Sequence, residues 1–299
     1  MSSLETEFAW RMIQWEILQQ SPNWPNLTAQ EIRELKLYSG AAGIYRDKNR
    51  THSLAEDGIA VSIMNSSGHY SDEISEDVMI YDYPKTDRSR SHDAGEIASL
   101  KNAMLTKMPL FVISEISGNR RRVDLGWVTS CEDSASACLI TLHQQPEEKF
   151  DPLAELSVDF ISTVPRKLTT SQIKRLERDP KFKFKALVLY QTTCALTDVK
   201  VERMLDAAHV IPVAENGTDD PRNSLLLSAS IHRAFDANYW AIEPESLVVA
   251  TRKQGPTLDQ KKIIHKSILH LENKPHPEAL EHRWNSFVKA TDGKILLAS

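Results

Sequence analysis

Four side chains in the C-terminal third of the chain have the types and the spacing that hydrolysis of a phosphodiester requires. His209 lies in the segment from Ala207 to Pro212, Asn223 follows 14 positions later, His232 nine positions after that, and Asp236 four positions further. The reaction needs a base that deprotonates water, a cation that neutralises charge growing on the phosphate, and a rigid frame that aligns them. A histidine can be that base, because an unperturbed imidazole has a pKa of about 6.5.

His232 and Asp236 are candidates for binding a divalent cation. They are four positions apart, so on a helix they would project from the same face and offer one nitrogen and one oxygen ligand. This mixed set suits Mg²⁺ or Mn²⁺, although Ni²⁺ or Co²⁺ also fits. The amide of Asn223 can tie the loop backbone to the strand that carries His209. A lone histidine beside isoleucine and proline is more often an ordinary core or surface residue, so the hypothesis depends on all four positions together.

The elements that must position these residues are predicted in the order strand, loop, strand, helix. Two short strands flank a loop from Pro212 to Pro221, and a helix starts near Ser228. Before them, a helix from Phe184 to Gln191 leads to Cys194.

The segment from CALTD at Cys194 to HRAFDAN at Asn238 resembles the HNH, or ββα-metal, nucleases. The resemblance implies that His209 is the general base, that Asn223 braces the loop, and that His232 and Asp236 bind one metal ion. Many members of this family have a metal-binding Asp or His directly before the base, where this chain has Ala208.

Asp206 is a candidate to replace the ligand that is missing at Ala208. It lies two positions earlier in the chain, so on a strand it would share a face with Ala208. The alternative is that Asp206 is an ordinary surface residue.

The composition favours a two-domain protein without a strong overall attraction to nucleic acid. The chain has 299 residues, 41% of them hydrophobic, and a formal net charge of −5, so DNA contacts would need local basic patches. Its three cysteines form no CxxC pair, and we therefore expect neither a disulfide framework nor a four-cysteine zinc site. The acidic N-terminal segment does not resemble a signal peptide, and no apolar run is long enough for a membrane span, so we expect a cytoplasmic protein.

The hydrophobic patterns predict an N-terminal domain at 1–150, a linker at 151–180 and a nuclease domain at 181–299. The first domain combines helices at Phe8–Gln20 and Asp93–Thr106 with short apolar runs typical of strands. These runs are Ile59–Met64, Val78–Tyr81, Leu110–Ile113, Val123–Val128 and Leu139–Leu142. The segment 151–180 is rich in charge and proline and has no sustained strand pattern.

The stretch from Ser66 to Pro84 resembles the loop and strand of SRA (YDG) domains, which bind a flipped modified cytosine. The resemblance implies a pocket built from Tyr70, Asp72, Glu73 and Tyr81. A flipped base needs aromatic faces to restore its stacking, and a carboxylate can accept a hydrogen bond from the exocyclic amine of cytosine. The alternative is that the tyrosines are ordinary strand aromatics and that the acidic residues form a solvated turn.

Together the two resemblances imply an α+β protein with an SRA-like (PUA-like) β-barrel domain followed by an HNH ββα-metal domain. Such a protein would be a type IV modification-dependent restriction endonuclease that acts on double-stranded DNA. Arg120, Arg121 and Arg122 are candidates for contacts with the DNA backbone. Cutting both strands would require two copies, so we expect a homodimer. Two alternatives remain at this point: an HNH nuclease that does not recognise a modified base, and a DNA-binding protein without activity.

Overall fold

The computed structural model describes residues 3–39, 43–65, 77–85, 90–116, 119–167, 169–177 and 179–298. The chain divides into two compact units, Met1–Phe150 and Asp151–Ser299. Each unit has its own hydrophobic clusters, and each is described by itself.

The first unit is built around one seven-stranded sheet. Its strands are β1 (Leu27–Thr28), β2 (Ile44–Arg46), β3 (Ala60–Asn65), β4 (Val78–Asp82), β5 (Leu110–Glu115), β6 (Arg120–Glu132) and β7 (Ala137–Leu142). Their order is β2-β3-β5-β6-β7-β4, with β1 paired to β6, and β3 and β5 run parallel. Among the described residues no pairing joins β2 to β4, so the predicted barrel is an open sheet there.

Helices cover both faces of this sheet, which explains why its strands are nearly continuous apolar runs. The helices are α1 (Leu4–Gln19), α2 (Ala29–Glu34), α3 (Lys48–Thr51) and α4 (Arg90–Leu105). Side chains alternate across β5, so Val112 joins the cluster under α4, whereas Phe111 joins the cluster under α1 and α2. Trp10 and Trp15 pack against the latter cluster, which gives the apolar face of α1 a partner within its own unit.

Cys131 and Cys138 form a disulfide between β6 and β7. The two residues are directly opposite each other in the strand register. The expectation of no disulfide is therefore wrong, because cysteine spacing alone does not reveal which positions a hairpin brings together. Cys194 is free and buried, and its sulfur accepts a hydrogen bond from the backbone nitrogen of Ser228 at 3.2 Å.

The second unit contains the predicted strand, loop, strand and helix. Its helices are α5 (Thr170–Glu177), α6 (Pro180–Leu189), α7 (Ala229–Asp236) and α8 (Pro277–Ala290). Its strands are β8 (Leu205–His209), β9 (Ser224–Ser228), β10 (Trp240–Ile242), β11 (Val249–Arg252) and β12 (Ile295–Leu297). β8 and β9 form an antiparallel hairpin in which His209 is opposite Ser224, and β10, β11 and β12 form a separate three-stranded sheet.

The β8–β9 hairpin is held between α6 and α7. Ile231 and Phe235, four positions apart on α7, pack in one cluster with Ala208 of β8 and Leu225 of β9. The helix α6 contacts both strands of the hairpin, and Phe182 of α6 stacks on His209. Each face of the hairpin is therefore covered by a different helix.

The segment 151–180, predicted to be a linker, packs on the second unit. Thr163 forms a β-bridge with Gly217 in the hairpin loop, and Phe160 packs against the same cluster as α7. Gly217 approaches the backbone so closely that a Cβ atom there would lie 1.9 Å from the carbonyl oxygen of Ile211. The loop conformation therefore requires glycine at this position.

Candidate functional site

His232 lies between two carboxylates on the α7 side of the hairpin. Its Nδ1 is 3.2 Å from an oxygen of Asp206, and its Nε2 is 3.3 Å from an oxygen of Asp236. The helical spacing brings His232 and Asp236 together as predicted, while β8 supplies Asp206 from the neighbouring element. The side chain of Asp236 is 63% exposed, so the group is open to solvent.

The donor atoms of this group fit a hard divalent cation. One imidazole nitrogen and carboxylate oxygens from two aspartates are ligands that Mg²⁺ or Mn²⁺ accepts. The two carboxylates face different nitrogens of the same ring, so a cation bound by all three side chains would need a rotation of at least one of them.

His209 is in a different environment, enclosed by α6 and the hairpin loop. Only 5% of its side chain is exposed. Its ring stacks on Phe182 with centroids 3.7 Å apart and planes 10° apart, and its Nε2 is 3.2 Å from an oxygen of Asp219. Asp206 and His209 are three positions apart on β8, so their side chains project from opposite faces of the strand.

The structure therefore divides the predicted site residues into two contact groups. His232, Asp206 and Asp236 form the first, and His209 with the loop residues forms the second. We expected His209 and the cation-binding group to converge on one phosphate, and this convergence stays a prediction.

Asn223 is fully buried and joins the hairpin loop to the end of β8. Its side-chain oxygen accepts a hydrogen bond from the backbone nitrogen of Ile211 at 2.8 Å. Its amide nitrogen donates to the carbonyl oxygens of Ile211 and Thr218, at 3.1 and 2.9 Å. These three bonds fix the backbone two residues beyond His209.

Asp219 is a site residue that the sequence analysis missed. Its second oxygen is 2.9 Å from a guanidinium nitrogen of Arg166, while its first oxygen faces His209. Burial raises the pKa of Asp219, but the hydrogen bonds and charges of His209 and Arg166 outweigh this effect and lower it overall. The carboxylate is therefore ionised at neutral pH. The acidic pair in the sequence GTDDPRN was the available signal, although it does not reveal which aspartate contacts His209.

Most of the predicted base pocket lies outside the described residues, since Tyr70, Asp72 and Glu73 belong to the undescribed stretch 66–76. Tyr81 is in β4, where its ring packs against the cluster under α4. Burial, together with the nearby carboxylates of Glu96 and Asp82, raises the pKa of Tyr81, so its phenol stays neutral.

The three predicted backbone-contact arginines lie at the start of β6. Arg120 donates to the carbonyl oxygen of Asn26 at 3.2 Å. Arg121 lies 3.6 Å from Glu115, and Arg122 lies 2.8 Å from Asp124. Carboxylates therefore already neutralise part of the positive charge of this patch.

A second group of possible metal ligands lies on α4 in the first unit. Among the described residues, His92, Asp93 and Glu96 have ligand atoms that all lie within 4.8 Å of one another. Glu96 is buried, and its carboxylate is 3.3 Å from Nδ1 of His92. The sequence analysis did not single out this group.

Residues 194–243 match the family model of the HNH endonucleases. The matched segment includes the β8–β9 hairpin and α7, together with all four residues of the original motif. The HNH prediction is confirmed for this segment, and the match supports a nuclease of the hydrolase class.

The comparison with solved structures finds similarities of low TM-score. The modification dependent TagI restriction endonuclease is 18% identical, over 87% of this chain and 90% of that chain, with a TM-score of 0.32. The SUVH5 SRA domain in complex with hemi-methylated CG DNA is 22% identical, over 42% of this chain and 89% of that chain, with a TM-score of 0.26. The type IV phosphorothioation-dependent restriction endonuclease ScoMcrA is 11% identical, over 77% of this chain and 59% of that chain, with a TM-score of 0.23.

No curated protein matches the chain. Within the described residues, no helix has the length and apolar character needed to cross a membrane.

Removal of the Asn223 side chain should destabilise the second unit strongly. Asn223→Ala breaks three buried hydrogen bonds, each contributing about 1 kcal/mol, and leaves the carbonyl and amide groups of Ile211 without these partners. We expect the free energy of unfolding to fall by about 2–4 kcal/mol in urea titrations. Asn273→Ala is the control, because its amide donates one hydrogen bond, to the carbonyl oxygen of Leu189. Equal losses for the two variants would contradict the bracing role.

The Asp219 carboxylate should contribute stability that depends on pH. Its pKa is lower in the folded chain than in the unfolded chain, so the contribution is fully present above the unfolded value and is lost as the pH falls through the folded value. The difference in unfolding free energy between the parent and Asp219→Asn should therefore be largest at neutral pH and should shrink below about pH 4. Urea titrations at a series of pH values measure it. A difference that is constant with pH would contradict this linkage.

Proposed function

We propose that the chain is a metal-dependent HNH endodeoxyribonuclease of the modification-dependent restriction type. The observation that carries the proposal is the β8–β9 hairpin followed by α7, which matches the HNH family and carries His209, Asn223, His232 and Asp236. The substrate is double-stranded DNA that carries a modified cytosine.

His232, Asp206 and Asp236 would hold the divalent cation. Mg²⁺ or Mn²⁺ is the preferred ion, with Ni²⁺ or Co²⁺ as alternatives. A bound cation would supply neutralising charge for the phosphate and the leaving oxygen. Asp206 would replace the ligand that other HNH proteins have at the position of Ala208. Asp206 lies 3.2 Å from Nδ1 of His232, so it is next to the ring, and a rotation of one side chain would bring the three ligand atoms to one ion.

His209 would accept the proton of the attacking water, and Asn223 would hold the backbone on which this base depends. The small exposed fraction of His209 limits it to a water bound within the site. Because His209 and Asp206 project from opposite faces of β8, the proposal requires the bound phosphodiester to reach both groups.

The first unit would read the modification by binding a flipped cytosine. Tyr70 and Tyr81 would provide aromatic faces, and Asp72 and Glu73 would accept hydrogen bonds from the base. The resemblance of the segment Ser66–Pro84 to SRA domains supports this part of the proposal. Arg120, Arg121 and Arg122 would contact backbone phosphates. Two copies of the chain would be needed to cut both strands.

A DNA-binding protein without activity is the second candidate function. Ala208 at a usual ligand position and the opposite orientations of His209 and Asp206 favour it. The two candidates differ in whether any divalent cation supports cleavage.

Cleavage of plasmid DNA tests the nuclease directly. The parent chain should nick or cut modified plasmid with Mg²⁺ or Mn²⁺, and EDTA should abolish this activity. His209→Ala and His232→Ala should each lower the rate by about 10²-fold or more, because they remove the base and a cation ligand. His265→Ala is the matched control, since this histidine also contacts an aspartate in the same unit, and it should keep the parent rate. DNA binding by the parent without cleavage, with any of the four cations, would favour the second candidate.

Matched duplexes test the reading of the modification. The same sequence is prepared with cytosine, 5-methylcytosine, 5-hydroxymethylcytosine or glucosylated hydroxymethylcytosine, and initial cleavage rates are compared. We expect at least one modified duplex to be cut faster than the unmodified one, and Tyr70→Ala to remove that preference while nicking persists. Equal rates on all four duplexes would exclude a modified-base reader.

A further inference from the structure

The environment of His209 defines which of its two ring nitrogens can act as a base. We propose that Asp219 is a positioning residue for His209, holding the ring in the tautomer that carries its proton on Nε2 and has the lone pair on Nδ1. This inference rests on the proposed nuclease function and deepens it. It assigns a role to a loop residue outside the four-residue motif.

The hydrogen-bonding capacity of the two groups supports this tautomer. An ionised carboxylate can only accept hydrogen bonds, so the 3.2 Å contact between Nε2 of His209 and Asp219 requires Nε2 to donate. The neutral ring has a single proton, and placing it on Nε2 leaves Nδ1 as the acceptor.

Two contacts fix the orientation of the ring. Phe182 lies nearly parallel to His209 at 3.7 Å and therefore sets the plane of the imidazole. A half-turn about the Cβ–Cγ bond would return the ring to the same plane with its nitrogen and carbon positions exchanged. Stacking on Phe182 alone does not prevent this exchange. The hydrogen bond to Asp219 distinguishes the two orientations, because a carbon in place of Nε2 would lose it.

Asp219 is itself held by cationic neighbours. Arg166 contacts its second carboxylate oxygen at 2.9 Å, and the ammonium of Lys185 donates to its backbone carbonyl oxygen at 3.2 Å. Lys185 also forms an ion pair with Glu155. Arg166 is anchored in turn, since its backbone nitrogen donates to the side chain of Asn216 at 3.0 Å. The carboxylate is therefore fixed both in position and in its ionised state.

The same contact would stabilise the charge that forms during proton transfer. When water loses a proton to Nδ1, the imidazole becomes a cation and the water becomes hydroxide. The anion of Asp219 faces the opposite nitrogen and remains ionised throughout. His209 is largely buried, so this attraction is less screened than at a solvated surface pair.

Another histidine–aspartate pair in the second unit serves as a matched control. Nε2 of His265 lies 3.2 Å from a carboxylate oxygen of Asp198, the same distance as in the His209 pair. The Asp198 side chain is 76% exposed, and it has no role in the proposed nuclease site. Asp198→Asn therefore repeats the same chemical change away from the site.

The ring nitrogens of His209 can be observed directly in the full-length chain. Nitrogen-15 NMR of histidine-labelled protein separates protonated from unprotonated ring nitrogens, and comparison with His209→Gln assigns the signals of this residue. The parent should have the proton on Nε2. In Asp219→Asn the amide can donate to Nε2 as well as accept from it, so we expect the other tautomer to gain population. Asp198→Asn, which leaves the His209 contact and its supports in place, should keep the parent tautomer.

Steady-state kinetics on the preferred duplex provide the functional measurement. Asp219→Asn should lower kcat by about 10²-fold and leave KM within about a factor of two, because the carboxylate acts on the base and not on DNA binding. Asp198→Asn should leave both constants at the parent values. Unchanged nitrogen signals of His209 in Asp219→Asn, or a kcat equal to that of Asp198→Asn, would overturn the inference. If the parent itself cleaves no DNA, the proposed function fails, and the NMR comparison still decides whether Asp219 holds the tautomer.

Discussion

The candidate site depends on the buried amide of Asn223. A loop of more than ten residues joins β8 to β9, and a loop of this length does not fix its own conformation. Asn223 compensates by bonding both backbone groups of Ile211 and the carbonyl of Thr218. Gly217 allows the loop to pass against Ile211 without a steric conflict. These contacts join the end of β8 to the later part of the loop, and His209 and Asp219 both project from this joined segment.

The alternation of side chains along β8 separates two kinds of chemistry. Asp206 projects towards α7 and His232, whereas His209 projects towards α6 and Phe182. The group of His232, Asp206 and Asp236 is acidic and open to solvent, while His209 is enclosed by an aromatic ring and a carboxylate. A single strand thus gives the two groups different exposure and different electrostatic surroundings.

Local patterns in the sequence predicted the parts of the site that depend on short-range geometry. The spacing of His232 and Asp236 sufficed to place them on one helical face, and the apolar runs located the strands of the first unit. Contacts that depend on loop conformation or strand register were not predictable in this way. Asp219 reaches His209 because a long loop folds back, and Cys131 meets Cys138 because of the register of β6 and β7. Neither arrangement has a periodic signature in the sequence.

The contact between Arg166 and Asp219 shows that the segment before α6 supports the hairpin loop of the second unit. The segment before α6 contributes a guanidinium to the loop, a β-bridge partner for Gly217 and the ring of Phe160 to the apolar cluster. A fragment cut at residue 181 would carry the whole family motif and still lack these supports. A fusion of this unit to a DNA-binding scaffold should therefore begin at Asp151, about thirty residues before the start of α6.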